Sequence, residues 1–340
     1  MEKYKLIKEK ILSEADTLPT DAILPSRNQL TKKYNVGEMT VRRAFNELIA
    51  EGYVYAIKGK GYFVANKNLK IKEVVIVTHG THLNDLININ LEMITYSELY
   101  SNRAGYQTNM FFHNSNSTFE NNILQKLANN NPYGTLYHAS KNVDMAETYK
   151  IFFPKIKNLV VLDALPLSAK AKLVTSDNYN IQLKMCKALN KQEYDKIYYI
   201  DLDNWQATNI HTERLKAFKD VFGKKNPYIY LSNDMVFNAL DSLCKYLNKD
   251  LRNYKRVCMI FLGCYQLDWV YRNIKDVLDT LEYVGVGCFE KPPCEMAENA
   301  HIIWVKQDVQ SICKEAVSIL KEGVKDTQRV EIPASLEFIN

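Results

Sequence analysis

Apolar positions recur at helical spacing from the start of the chain. Tyr4, Ile7 and Ile11, with Leu12 beside them, predict a helix over residues 4–12. The run Leu24-Pro25-Ser26-Arg27-Asn28-Gln29-Leu30 then joins a stop to a start. Proline ends what precedes it, Ser26 is a good N-cap, and Gln29 three residues on completes a capping box. This short helix is expected to reach Tyr34. Asn35-Val36-Gly37 is turn chemistry, with Gly37 expected to take the unusual backbone angles. A second helix is predicted over residues 38–51, ended by Gly52. Its apolar stripe is Val41, Ala44, Phe45, Leu48 and Ile49; Thr40, Arg42, Arg43 and Asn46 fall on the polar side. Two strand-forming runs, 53–57 and 62–64, flank the basic glycine turn Lys58-Gly59-Lys60-Gly61 and predict a hairpin with a cationic tip.

Beyond residue 72 the pattern changes to short apolar runs alternating with longer helical stretches. Strands are expected at 74–77, 106–112, 135–138, 158–162, 196–200, 256–261, 283–286 and 302–305. Helices are expected at 85–102, 118–129, 178–189, 208–222, 234–247, 267–278 and 308–321. Such alternation implies an α/β architecture of parallel sheets covered on both faces. A region of this length usually divides into two lobes, which bind small molecules in the cleft at the carboxyl ends of the strands. The chain thus reads as a DNA-binding unit over residues 1–66, a polar linker over 67–72, and a two-lobed ligand-binding and dimerisation domain over 73–340.

Charge sharpens this division. Of a formal net charge of +5, residues 1–68 carry +4, and the remainder +1. That excess is modest for a nucleic-acid binder, so two copies are expected to share the work. Seven cysteines, Cys186, Cys244, Cys258, Cys264, Cys288, Cys294 and Cys313, are scattered and never spaced as metal pairs. They read as buried thiols in a reducing compartment. The charged amino terminus lacks a secretory apolar core, and no apolar run approaches membrane-spanning length, so a cytoplasmic protein without a membrane partner is expected.

Catalytic signatures are not found. His79 and His82 stand three apart without a cysteine or clear carboxylate set, so metal binding is not expected. Gly285-Val286-Gly287 lacks the third glycine and helix start of a dinucleotide loop. There is no nucleophile elbow or phosphate-binding Gly-Lys-Ser/Thr loop, and Ser168 with Lys170 reads as a polar loop. No cofactor is expected.

Arg, Asn and Thr side chains on the second helix suit base edges and phosphates in a major groove, and a cationic hairpin directly after it suits a wing. The four ordered blocks Leu24-Pro25-Ser26-Arg27-Asn28-Gln29-Leu30, Met39-Thr40-Val41-Arg42-Arg43-Ala44, Glu51-Gly52 and Gly59-Lys60-Gly61-Tyr62-Phe63-Val64 resemble the winged helix-turn-helix of the gluconate-repressor (GntR) family. The resemblance implies double-stranded operator DNA as a partner. It places Ser26, Arg27, Asn28, Glu38, Thr40, Arg42, Arg43, Asn46, Lys58, Lys60 and Gly61 at the interface. Many members carry Arg or another neutral or basic residue where this chain has Glu38. An acid there either accepts from a cytosine amino group or sits favourably at the helix amino terminus.

The larger region resembles the periplasmic-binding-protein-like effector domain of the lac, ribose and purine repressors. Val174-Thr175-Ser176-Asp177-Asn178-Tyr179, Glu213-Arg214-Leu215-Lys216-Ala217-Phe218 and Val305-Lys306-Gln307-Asp308 carry the likeness. The combination is similar to the architecture of the arabinose repressors. It implies a sugar effector between the lobes, with Arg214 as fork donor, Asp163 as acceptor, Gln307 at the crossing, His82 and Asp85 at the mouth, and Trp205 stacking on a sugar face. Leu262-Gly263-Cys264-Tyr265 and Val286-Gly287-Cys288-Phe289 stand where the family usually has Asn-Asp and Gly-Phe/Tyr-Asp. The reading is a homodimeric, ligand-controlled transcriptional regulator, a repressor of carbohydrate genes. The alternative is a winged-helix regulator whose second domain only dimerises.

Overall fold

The computed structural model describes residues 3–65, 72–79, 89–113, 117–139, 145–201, 208–225, 227–231, 236–292 and 298–339. The chain divides into two compact units, Met1–Lys72 and Glu73–Asn340.

The first unit holds α1 (Lys3–Thr17), α2 (Arg27–Tyr34), α3 (Glu38–Ala50) and the hairpin β1 (Val54–Ile57) and β2 (Gly61–Val64). Ser26 caps α2 as its chemistry predicts: Ser26 Oγ accepts from Gln29 N, and Ser26 N donates to Gln29 Oε1 at 2.7 Å. Two local expectations are corrected. Gly37 is an ordinary extended N-cap at φ −66°, and Asn35 takes the left-handed conformation at φ 47°. An asparagine tolerates that region because its side chain bonds locally. Ile49 is 37% exposed, so the buried stripe of α3 stops at Val41, Ala44, Phe45 and Leu48. A 3.6-residue period puts Ile49 at the margin of that face. Gly52 at φ 72° ends α3, its N–H donating to Ile49 O.

The second unit contains two six-stranded sheets. In lobe 1 these are β3 (Glu73–His79), β4 (Gln107–His113), β5 (Gly134–His138), β6 (Leu159–Leu162), β7 (Lys172–Ser176) and β13 (Arg329–Ile332). Their order is β13-β7-β6-β5-β3-β4, with every pair parallel. In lobe 2 they are β8 (Lys196–Asp201), β9 (Tyr228–Leu231), β10 (Arg256–Phe261), β11 (Tyr283–Phe289), β12 (Ala300–Lys306) and β14 (Ser335–Ile339). Their order is β14-β12-β11-β10-β8-β9, parallel except for β14, which runs antiparallel to β12.

Period-two alternation sends each strand's side chains to both faces. On β3, Val75 and Val77 join Leu124 and Tyr149, from α5 (Ser117–Asn130) and α6 (Ala146–Phe152). Val74 and Ile76 join Met93 and Ile312, from α4 (Ile89–Arg103) and α11 (Val309–Glu322). On β8, Ile197 and Tyr199 pack with α7 (Asn178–Leu189) and α8 (Asn209–Phe222). Tyr198 and Ile200 pack with α9 (Val236–Asp250) and α10 (Cys264–Leu278).

The chain crosses between lobes at 177, 307–308 and 333–334. The crossings are tied together: Ser176 Oγ donates to Gln307 Oε1 at 2.8 Å, and Asp177 N to Ile332 O at 2.9 Å. Asp177 and Asp308 cap the helices that follow the first two crossings. The six described cysteines are buried thiols outside any disulfide; Cys294 lies outside the described residues. Among the described residues no helix is long and apolar enough to cross a membrane.

Lobe 1 buries a polar group deep in its α5–α6 face. Glu120 accepts from Tyr137 Oη at 2.7 Å and from Tyr149 Oη, and its other oxygen stands 3.6 Å from His113 Nδ1. Burial pushes the His113 imidazole below its usual 6.5, against the opposing pull of Glu120. The unfolded chain therefore takes up a proton there before the folded chain does. Stability that is complete above pH 6.5 is lost as pH falls through it. Thermal melts across this range should show the midpoint falling on the acid side. In His113→Gln that fall should be shallower; an unchanged slope would contradict the assignment.

Candidate functional site

The amino-terminal unit presents two polar concavities. One is bordered by Thr40, Arg42, Arg43 and Asn46 of α3, with Met39 and the ring of Tyr4. Arg42 and Asn46 are exposed. Arg43 lies 3.7 Å from the Tyr4 ring centroid and 3.9 Å from Glu47, which orients it while leaving its side chain 59% exposed. The other concavity brings Ser26, Arg27 and Asn28 at the start of α2 together with Lys58, Gly59 and Gly61 of the hairpin. Lys60 stands exposed in the hairpin turn, which Lys60 N closes on Ile57 O at 3.0 Å. Gly59 at φ 80° and Gly61 at φ 121° permit this turn. Glu38, the first residue of α3, pairs with Arg27 at 3.4 Å. The Ser26 hydroxyl is occupied by the helix cap.

In the larger unit, polar residues converge where strands end. Asp163 follows β6 in the left-handed region at φ 64°, its N–H bonded to Val174 O. One of its oxygens is 3.8 Å from His138 Nε2 at the end of β5. Asp201 at the end of β8 contacts His211 Nδ1 of α8. One turn on, Arg214 is 3% exposed. Its Nε donates to Asn178 Oδ1 at 2.9 Å, its Nη1 to Leu262 O at 3.3 Å, and its guanidinium lies 3.2 Å over the Phe289 ring. Burial pulls its pKa down to about 10, with Asp163 the strongest opposing influence, so it remains charged at neutral pH.

Gln307 stands at the second crossing between the lobes. It is held by Ser176 and lines a pocket of about 180 Å³ with Glu92, Glu290, Trp304 and Lys306. Glu290, at φ 66°, relates the two sets, since it also acts electrostatically on Arg214. His82, Asp85 and Trp205 lie outside the described residues.

Helix α8 is tied to lobe 1 at two points. Leu165 N donates to Asn209 Oδ1 at 2.8 Å, with Asn209 N returning to Leu165 O at 3.2 Å beside a Pro166–Thr208 bridge. Glu213 pairs with Arg329 of β13. The helix carrying Arg214 and His211 thus registers the position of both lobes.

Sequence reasoning missed His138, Asn178, Asp201, His211 and Glu290. The available signal was the polar residue that directly ends or follows a buried strand run: His138 after Tyr137, Asp201 after Ile200, Glu290 after Phe289. At the positions that depart from the family pattern, Cys264 and Phe289 are buried; the neighbouring Leu262 carbonyl accepts from Arg214, and a carboxylate, Glu290, follows Phe289. Among the described residues no group of three His, Cys, Asp or Glu is placed to hold a metal ion.

Comparison with known proteins agrees with both units. Residues 3–64 match the model of bacterial regulatory proteins of the gntR family. The arabinose metabolism transcriptional repressor of Halalkalibacterium halodurans is 31% identical over 151 residues, covering 41% of this chain and 39% of that protein. The match therefore spans about two fifths of the relative's length. The Cra transcriptional dual regulator of Pseudomonas putida, solved with fructose 1-phosphate, superposes with a TM-score of 0.62 at 13% identity. It covers 78% of this chain and 98% of its own. A periplasmic binding protein/LacI transcriptional regulator of Alkaliphilus metalliredigens, solved with D-xylulofuranose, gives 0.57 at 15% identity, covering 78% and 97%. At such identities the structural likeness speaks for the fold. The chain carries an amino-terminal helix-turn-helix and hairpin unit that matches the gntR-family model over residues 3–64, and a two-lobed domain with the fold seen in LacI-type regulators and periplasmic binding proteins.

Proposed function

We propose that this protein is a sequence-specific DNA-binding transcriptional regulator, a repressor of carbohydrate-utilisation genes controlled by a sugar or sugar-derived effector. The carrying observation is the polar set of half-buried Thr40 and exposed Arg42, Arg43 and Asn46 on α3, in a unit whose hairpin adds Lys58 and Lys60. Two copies bind a two-fold related site, one half-site each. The effector occupies the region of Arg214, Asp163 and Gln307 and biases the lobes. Coupling to DNA on the usual scale is about 1–3 kcal/mol.

The test is fluorescence anisotropy on a promoter fragment, titrated with salt and with sugars. Arg42→Ala or Arg43→Ala should weaken binding by about 1–3 kcal/mol where the residue reads a base, or lower the salt slope by about one where it neutralises a phosphate. Undiminished binding by the double variant would contradict the assignment. Gly263, which has no side chain, and buried, apolar Cys264 and Phe289 at usual ligand positions favour a second reading, a larger domain that only dimerises. Operator binding unmoved by any sugar or sugar phosphate, together with no thermal shift, would select it.

A further inference from the structure

We propose that Arg27 and Glu38 act as one reading unit for a single G·C base pair in the DNA site. This rests on the DNA-binding reading above and names a specificity determinant within it. Arg27 opens α2 and Glu38 opens α3, so two helix starts present their side chains side by side. Arg27 Nη1 and Glu38 Oε1 are 3.4 Å apart, with the side chains 40% and 60% exposed.

An ion pair this open to water contributes little to stability. A carboxylate on a DNA-facing surface also repels phosphates, so as a mere affinity element it is misplaced. What the pair does supply is a cationic donor next to an anionic acceptor. The major-groove edge of a G·C pair is its complement: guanine offers the N7 and O6 acceptors, and cytosine the N4 amino donor. O6 and N4 are joined by the base-pair hydrogen bond and so lie about 2.9 Å apart. The Arg27–Glu38 spacing matches that edge in size and polarity. Arg27 donates to guanine while Glu38 accepts from the cytosine amino group, and each holds the other's rotamer between encounters. Arg27 shares its concavity with Lys58 and Gly61, so both helix starts and the hairpin address one stretch of duplex.

The experiment is selection from a randomised operator library with the full chain. The wild type should require G·C at one position of each half-site. Glu38→Ala should lower discrimination there by about tenfold and leave the other positions unchanged. The exchanged variant Arg27→Glu with Glu38→Arg should prefer C·G at that position, because donor and acceptor have traded places. A profile unchanged in Glu38→Ala, or one weakened equally at all positions, overturns the inference. Thermal melting of Glu38→Ala checks that the unit stays folded. A wild type that selects no sequence would sink the DNA-binding reading itself, a different outcome from selection without a Glu38-dependent position.

Discussion

Phe45→Ala is expected to unfold the amino-terminal unit and abolish operator binding while leaving the two-lobed unit intact. Phe45 is fully buried on α3, its ring stacked 3.8 Å from that of Tyr62 on β2. It therefore joins the helix pair to the hairpin, which packs onto the helices through few other large side chains. Deleting a buried phenylalanine costs about 3–5 kcal/mol. A domain of this size has a total stability of only about 3–9 kcal/mol. The loss is comparable to the whole. Among the described residues, the buried cluster around Phe45 is confined to residues 7–64. Calorimetry should thus show the transition of the small unit lowered by tens of degrees or gone, with the transition of the large unit in place. Ile49→Ala, four residues away but 37% exposed, should change stability by about 0.5 kcal/mol. A Phe45→Ala melt indistinguishable from wild type would show that the stripe of α3 does not organise this unit.

That contrast between Phe45 and Ile49 marks how far periodicity reads. The amino-terminal elements were legible because local chemistry decides them: the Ser26–Gln29 cap, the Gly52 stop and the glycine turn at 58–61 each act within a few residues. Periodicity also located most of the buried strands, whose apolar runs face helices on both sides, but it missed β7, where the short run Leu173-Val174 gives way to the buried polar residues Thr175 and Ser176. It did not find β13 or β14. Arg329-Val330-Glu331-Ile332 alternates exposed and half-buried positions, as an edge strand does, and β14 lies antiparallel on the opposite sheet's margin. Neither carries a continuous apolar run, and only tertiary pairing makes them strands. Strand β9, Tyr228–Leu231, is likewise an edge. The candidate site was legible in part for a related reason. Arg214 and Asp163 stand out as charges beside apolar runs. Their convergence depends on how the two lobes meet across the crossing at 177, a long-range fact that no spacing along the chain records. His211 and Asp201 escaped notice because a buried imidazole–carboxylate contact has no short-range signature.

Arg214→Ala should be the most damaging single change in the larger unit and should silence its response to effector. The guanidinium satisfies Asn178 Oδ1 and Leu262 O, covers Phe289, and is the cation set against Asp163, Glu290 and Asp201. Removing one partner of such a buried arrangement costs about 3–5 kcal/mol, because acceptors and charge are left behind in a low-dielectric interior. Arg214→Met separates the contributions. It restores volume over Phe289 but offers no donor, so it should recover only a small part of the loss. Arg214→Lys keeps the charge but not the fork geometry or the stacking, and should recover more stability while the effector response stays impaired. The melting transition of the large unit reads the first quantity, and sugar-dependent release or tightening of operator DNA reads the second. Basal operator binding by Arg214→Lys should remain, since the winged unit has its own core. A Lys variant that regains stability and the full response together would make Arg214 a structural cation only, and would move the effector contacts to Gln307 and Glu290 along the hinge pocket.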